Sequence, residues 1–206
     1  MPRYRTRSWR ALDVDALAGG TSTRGTSAPR AAVRPAPRAV APPVNVRILG
    51  LDPGSRRTGF GVIECRGPDY RHVAHGCIAV DGLEVAERLR QIFQSLQALI
   101  TEHVPGEVAV ERVFVNRNVE SALKLGQARG AALCAVPQGT PVFEYAPRAI
   151  KLALVGSGAA EKVQVAHMIK TLLRLDGKIP ADAADALAIA VCHAHTRRLQ
   201  QLVAAT

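Results

Sequence analysis

Three strand-like segments follow one another directly in this chain, and the links between them are short. The segments are VRILGLD (46–52), GFGVIEC (59–65) and RHVAHGCIAV (71–80). Parallel neighbours would need a helical crossover, and these Gly- and Arg-containing turns are too short to hold one. The three segments are therefore predicted to form an antiparallel sheet.

The rest of the chain alternates between helical and strand patterns. Apolar residues recur every three or four positions from Val85 to Ile100, which predicts a helix over 83–104. The other predicted elements are strands over 107–115 and 140–146 and helices over 118–136, 147–154, 161–173 and 181–199. The order βββαβαβααα predicts an α/β fold, with a mixed sheet covered by helices on both faces.

Two common α/β architectures do not fit this order. The glycine-rich turn after the first strand leads into another strand, whereas a dinucleotide-binding unit needs a helix there. The strand–helix connections are also too few for a (β/α)8 barrel.

Positive charge is concentrated at the start of the chain. The formal net charge is +10 over 206 residues, which favours a polyanionic partner such as nucleic acid. Residues 1–45 hold eight Arg and two acids among many Ala, Pro and Ser residues. Because such a segment buries little apolar surface, we predict a disordered basic arm over 1–45, one globular domain over 46–200 and a tail over 201–206.

The arm has several possible origins. It could be a transit peptide, a nucleic-acid-binding arm or the product of a mis-assigned start codon, and its two acids, Asp13 and Asp15, argue against the first. The sequence has no apolar stretch long enough for a signal peptide or membrane span, so we expect a cytoplasmic protein with no membrane partner.

The four cysteines form no Cys-x-x-Cys pair, which argues against a zinc ribbon or a redox dithiol. Each lies in apolar sequence, so we expect small buried thiols at Cys65, Cys77, Cys134 and Cys192.

Four carboxylates interrupt apolar segments. Asp52 ends the first strand, Glu111 lies within VAVERVFV, and Asp182 and Asp185 are one helical turn apart in IPADAADALAIA. Each alone has an ordinary explanation, such as turn formation or helix capping. Four carboxylates converging on one spot would repel one another unless a divalent cation neutralised them.

The residue types also indicate which cation. Oxygen ligands without neighbouring His or Cys favour Mg²⁺ over zinc, with Mn²⁺ as a substitute. Two such ions, about 3.5–4 Å apart, form the usual apparatus for phosphodiester hydrolysis. We therefore predict two ions per site, and we expect Gly54, Ser55 and Gly59 to leave room for a phosphate backbone.

The chain resembles the RuvC family of Holliday-junction resolvases in four motifs that occur in the family's order. They are GLDPGSRRTGFGVIE (50–64), VAVERVFVNRNVESALKLGQARGAAL (108–133), VFEYAPRAIKLALVGSGAAEKVQVAHMIKTLL (142–173) and DAADALAIAVCHAH (182–195). The resemblance implies a ribonuclease H-like nuclease domain. It also implies a Mg-dependent endodeoxyribonuclease that resolves four-way DNA junctions by paired hydrolysis during recombination and repair.

The resemblance also implies residue roles and partners. The family's metal-binding catalytic acids match Asp52, Glu111, Asp182 and Asp185. DNA-binding residues match Phe114, which would stack on bases, and Lys151 and Lys162, which would lie near the cleaved phosphate. The family acts as a homodimer and cooperates with a branch-migration motor of the RuvA and RuvB type.

The residues themselves leave some of these roles open. Lys151 and Lys162 could be solvated helix residues, and Phe114 could belong to the core. Gly126 and Gly130, with Ala122 beside them, form a small-residue face on the second predicted helix. We expect the dimer partner to pack there, with packing on the protein's own sheet as the alternative.

Three other functions are alternatives to the interpretation of this chain as a resolvase. An actin-like or sugar-kinase ATPase uses a similar Asp-x-Gly-Ser turn but needs a second domain, for which 206 residues leave no room. A YqgF-like nuclease shares the first motif, although ERVFVN and GAAEK favour the resolvase. A binding module without turnover leaves the four acids unexplained, because acids weaken DNA binding unless a cation is present.

Overall fold

The computed structural model describes residues 45–112 and 118–204. These ranges contain the predicted elements in the predicted order. They are β1 Asn45–Asp52, β2 Arg57–Arg66, β3 Asp69–Ala79, α1 Val85–His103, β4 Glu107–Glu111, α2 Val119–Cys134, β5 Val142–Tyr145, α3 Pro147–Val155, α4 Lys162–Leu173 and α5 Ala181–Ala204.

The strands form one mixed sheet in the order β3-β2-β1-β4-β5. The first three strands pair antiparallel, as their short links predict. β4 runs parallel to β1, and β5 runs parallel to β4. Since Leu51 of β1 pairs with Val110 of β4, the next residues, Asp52 and Glu111, end neighbouring strands at the same edge of the sheet.

The sheet is buried on both faces. Ile48 and Ile63 point into a cluster with α3, α4 and α5, which includes Ile169. The alternate residues of β1, Leu49 and Leu51, point into a second cluster with α1 and α2. Burial on both sides explains why β1 and β4 read as nearly continuous apolar runs in the sequence.

Helix α5 lies unusually close to the sheet because glycines face it. A Cβ atom at Gly50 would lie 2.1 Å from the Ala186 carbonyl oxygen, and one at Gly59 would lie 2.0 Å from the Asp182 carbonyl oxygen. At Gly61 it would lie 2.7 Å from the Leu187 side chain. Any side chain at these positions would push α5 outward.

This packing corrects the expectation for the glycines after Asp52. The space at Gly59 is filled by α5, and a Cβ atom at Gly54 would lie 2.3 Å from the Arg57 carbonyl oxygen within the turn itself. The expectation that these two glycines leave room for a phosphate backbone is therefore wrong. They allow close packing inside the protein.

Several boundaries differ from the predicted ones. Helix α5 continues to Ala204, beyond the predicted end at Leu199, so residues 201–204 of the predicted tail are helical. The sequence there lacks Gly and Pro and offers no stop signal. β1 begins at Asn45, the last residue of the predicted arm. The rest of that arm, and residues 113–115 of the predicted strand 107–115, lie outside the described residues.

The expectation of four buried thiols holds only in part. Cys65 and Cys192 are buried, whereas Cys77 is half-buried and Cys134, at the end of α2, is exposed. None of the four forms a disulfide. In the ranges 45–112 and 118–204, no helix has the length and apolar character that a bilayer span requires.

We predict that Gly50→Ala lowers the free energy of unfolding by about 2 kcal/mol, because the new methyl group overlaps the α5 backbone. Urea denaturation followed by circular dichroism measures this change. Gln94→Ala serves as the control, since Gln94 is an exposed residue of α1 and alanine favours a helix. Equal stability of Gly50→Ala and the wild type would contradict the packing described for α5.

Candidate active site

The structure brings the four sequence-predicted acids together at the carboxyl edge of the sheet. Asp52 ends β1, Glu111 ends β4, and Asp182 and Asp185 lie at the start of α5. Asp52 interacts electrostatically with all three other carboxylates. The close contact of α5 with Gly59 brings the first turn of that helix to the end of β1.

Three of the acids share one cleft with the two predicted lysines. The cleft has a volume of about 370 Å³, and its charged lining consists of Asp52, Glu111, Asp185, Lys151 and Lys162. Its apolar wall is formed by Pro147, Ile150, Val165, Ala188 and Ile189. Asp182 lines a separate recess, together with Gly54, Arg57 and Asp81.

Burial and mutual repulsion disfavour negative charge in this cleft. The pKa of Asp52 is raised to about 7, chiefly by burial and also by Glu111, Asp185 and Asp182, while Lys162 acts to lower it. Burial followed by Asp185 also raises the pKa of Glu111, and Lys162 and Lys151 act against this increase. The carboxylates therefore need a positive partner to remain ionised together near neutral pH.

Lys162 partly meets this need. Its Nζ atom donates a hydrogen bond to Oδ2 of Asp185 at 2.7 Å, and this bond raises the pKa of the lysine. Lys162 is the first residue of α4, where the Glu161 backbone N–H donates to Oε1 of Gln164 at 2.9 Å. The lysine side chain is 78% exposed, so it can exchange partners without disturbing the core.

The donor set suits a hard divalent cation, although its present arrangement does not enclose one. Among the described residues, no three His, Cys, Asp or Glu side chains are placed to ligate a common ion. Carboxylate oxygens are the ligands that Mg²⁺ and Mn²⁺ prefer, and a cation would relieve the repulsion that raises the pKa of Asp52. The residues that would hold such an ion are Asp52, Glu111, Asp182 and Asp185.

A buried polar network holds the opposite end of β4, and the sequence analysis did not find it. Glu107 accepts hydrogen bonds from His193 Nε2 at 2.8 Å and from Arg197 Nε at 3.0 Å. Tyr145 OH and His193 Nδ1 are 2.7 Å apart. Burial alone would raise the pKa of Glu107, but its bonds to His193 and Arg197 lower it. The network joins β4, β5 and α5, the elements that carry or flank the acids.

The remaining residues predicted from the sequence to bind DNA or a dimer partner, other than the two lysines, are Phe114, Gly126 and Gly130. Phe114 lies outside the described residues. Gly126 and Gly130 are exposed, and a Cβ atom at either position would meet none of the described residues within 4 Å. The buried residues of α2 are Ala128 and Ala132. Packing of the two glycines on the protein's own sheet is therefore excluded.

We predict that Asp52→Asn stabilises the metal-free protein above pH 7. The carboxyl pKa rises from 3.8 to about 7 on folding, so the wild type loses stability as the pH rises through this window. The asparagine has no charge to bury. In EDTA, the variant should be about 2–4 kcal/mol more stable than the wild type at pH 8 and should lose this advantage near pH 4.

Urea unfolding of both proteins between pH 4 and pH 8 measures this difference. An advantage that stayed constant with pH, or that grew toward pH 4, would contradict the elevated pKa of Asp52.

The site belongs to a fold with known relatives. A family profile described as "Crossover junction endodeoxyribonuclease RuvC" matches residues 48–193. A protein of that name from Shewanella amazonensis is 52% identical over 158 residues, which cover 76% of this chain and 90% of the relative. The protein of the same name from Alkalilimnicola ehrlichii is 54% identical over 155 residues, covering 75% of this chain and 94% of the relative.

Solved structures agree with this result. Thermus thermophilus RuvC in complex with a Holliday junction substrate is similar with a TM-score of 0.71 and 35% identity, covering 76% of this chain and 97% of that chain. The yeast mitochondrial Holliday junction resolvase Ydc2 shares the fold, with a TM-score of 0.57 at 14% identity, over 80% of this chain and 85% of that chain. The ribonuclease H-like fold implied by the sequence motifs is confirmed. The chain belongs to the crossover junction endodeoxyribonuclease RuvC family.

Proposed function

We propose that the cleft at the carboxyl edge of the sheet is the catalytic centre with which this RuvC-family protein cuts four-way DNA junctions. The convergence of Asp52, Glu111 and Asp185 in one cleft, with Asp182 beside it, carries this proposal. The family membership favours a nuclease over the ATPase and the non-catalytic binding module considered from the sequence.

The four carboxylates would hold two Mg²⁺ ions, for which Mn²⁺ would substitute. When bound, such ions supply an activated water and stabilise the leaving oxygen of a phosphodiester. The protein contributes a rigid platform, because Asp52 and Glu111 end neighbouring strands and Asp185 is fixed by α5. The positive charge of these ions would lower the pKa values of the four carboxyl groups, so that the groups stay ionised as ligands.

Lys151 and Lys162 offset the negative charge that would otherwise repel DNA. Both line the cleft, and both act to lower the pKa of Glu111. The Lys162 ammonium group donates to Asp185 and is largely exposed, so it can also donate to a phosphate oxygen. The two lysines therefore guide the scissile phosphate toward the acids.

Phe114 would stack on a base at the opened crossover. It follows Glu111 by three residues in the ERVFVN motif, so in sequence it comes soon after the acid that ends β4. Stacking on an aromatic ring stabilises an unpaired base without reading its identity.

We also propose that the protein acts as a homodimer. A four-way junction has two-fold symmetry, so two sites related by a two-fold axis can cut paired strands at matching positions. The small-residue face of half-buried Ala122 and exposed Gly126 and Gly130 allows a partner helix to approach closely. Beside it, Val119 and Leu123 are 77% and 62% exposed, which adds apolar surface for an interface.

Cooperation with a branch-migration motor of the RuvA and RuvB type, a cytoplasmic location and a role in recombination and repair complete the proposal. They rest on the family resemblance of the four sequence motifs.

The turnover test replaces one acid. Asp52→Asn should reduce junction cleavage at least about 1,000-fold, because a metal ligand is lost, while junction affinity stays equal or improves because a repulsive charge is removed. Labelled four-way junctions and linear duplexes, each with and without Mg²⁺, measure cleavage and binding together.

Asp176→Asn is the matched control, since Asp176 is an exposed acid outside the cleft. Cleavage by Asp52→Asn at a rate near that of the wild type would refute the proposed catalytic centre. Equal cutting of linear duplexes and junctions would instead refute the proposed specificity for four-way junctions.

The dimer test uses the open face of α2. Gly126→Arg should hold two facing helices apart, so the variant should elute as a folded monomer from a sizing column and lose paired incision. Gln97→Arg, which places the same charge on an exposed position of α1, should remain dimeric. A dimeric Gly126→Arg with coordinated incision would place the interface elsewhere.

A further inference from the structure

A second cleft lies on the α1 and α2 side of the turn that follows Asp52. Its volume is about 540 Å³, and it is lined by three cationic side chains, Arg56, Arg88 and Lys124, and by the hydroxyl-bearing residues Ser55 and Ser121. These residues come from three separate parts of the chain, namely the β1–β2 turn, the first turn of α1 and the first half of α2. The fold thus concentrates positive charge in one concave place.

The neighbouring acids offset this charge only in part. Asp81 is the one carboxylate that the described part of the chain contributes to the lining, and it is paired with Arg57, which lies outside the lining, at 3.5 Å. Lys124 pairs with Glu120 at 2.5 Å, but both side chains are substantially exposed, so this pair is weak and can exchange for another anion. The cleft therefore retains a net positive charge.

The Arg88 guanidinium group is positioned by one hydrogen bond to the protein and retains a further N–H donor for a ligand. Its Nη2 atom donates to the Leu83 carbonyl oxygen at 3.1 Å. Its buried Nε atom has no hydrogen-bond partner among the described residues. A buried donor without a partner is rare, and a small rotation of the guanidinium group toward the cleft would let an anion's oxygen satisfy it.

This basic cleft adjoins the acidic site. Ser55, Arg56 and Asp81 line both the basic cleft and the small recess that contains Asp182. Positively charged side chains therefore flank the acids on two sides. Lys151 and Lys162 lie on the side of α3 and α4, and the basic cleft lies on the side of α1 and α2.

We propose that the basic cleft binds a second backbone phosphate of the junction, on the strand whose scissile phosphate reaches the acids. The proposal rests on the function proposed above for the acidic cleft. Guanidinium groups, an ammonium group and hydroxyls together match the oxygens of a phosphodiester. With phosphates held at the basic cleft and at the lysines, the strand would be fixed across the acids rather than at one point.

The test neutralises two exposed residues of the basic cleft. Arg56→Gln/Lys124→Gln should weaken binding to a four-way junction in EDTA about 10-fold at moderate salt. It should also reduce the slope of log affinity against log salt by about 1, as expected when about one phosphate contact is lost. Arg90→Gln/Lys178→Gln is the matched control, because it removes the same charge from exposed positions outside the two clefts.

A chemical change in the DNA identifies the contact. Single methylphosphonate linkages, which are uncharged, are introduced one position at a time near the crossover. The wild type and the control should lose affinity at the position held by the basic cleft, whereas Arg56→Gln/Lys124→Gln should lose nothing further there. Equal losses at every position in all three proteins would overturn the proposal.

Further results separate the alternatives. Inorganic phosphate at constant ionic strength could raise the melting temperature of the wild type but not that of Arg56→Gln/Lys124→Gln. If the two proteins nevertheless bound junctions equally well, the basic cleft would be a site for free phosphate and the proposal would be wrong. Junction cleavage by the wild type and its loss in Asp52→Asn test the acidic site independently, so failure of either idea can be recognised without the other.

Discussion

The direct contact between helix α5 and the β1–β2 pair determines where the chemistry of this protein can occur. Gly50, Gly59 and Gly61 remove the side chains that would normally separate a helix from a sheet, so α5 rests on the strand backbones. Its first turn then reaches the end of β1, and Asp182 and Asp185 come to the edge where Asp52 and Glu111 already end neighbouring parallel strands. A wider spacing would leave two pairs of acids instead of one cluster.

The cluster carries an electrostatic cost, and the surrounding residues show how the fold tolerates it. Burial and the other carboxylates raise the pKa of Asp52 to about 7, and Lys162 forms an ion pair with Asp185. At the far end of β4, Glu107 is fully engaged by His193 and Arg197. Hydrogen bonds to Glu107 thus fix one end of β4. The other end carries Glu111, whose carboxylate still requires a cation. This division suits a site that must be rigid before its ligand arrives.

Much of the fold could be predicted from periodicity and turn length. The antiparallel start and the order of elements follow from local patterns, and Asp52, Glu111, Asp182 and Asp185 could be recognised because they interrupt apolar segments and match the family's motifs. Other features depend on tertiary contacts that no local pattern encodes. The role of Gly59 was missed because open space and helix contact both require glycine. The Glu107–His193 pair and the basic cleft of Arg56, Arg88 and Lys124 join residues far apart in sequence.

The central claim is that these four carboxylates form one site for divalent cations, and counting bound Mn²⁺ by electron paramagnetic resonance tests it most directly. At pH 8 the wild type should bind two Mn²⁺ ions saturably, Mg²⁺ should displace them, and Asp52→Asn should lose at least one of the two. No saturable binding by the wild type, or binding by Asp52→Asn that is identical to it, would contradict the account.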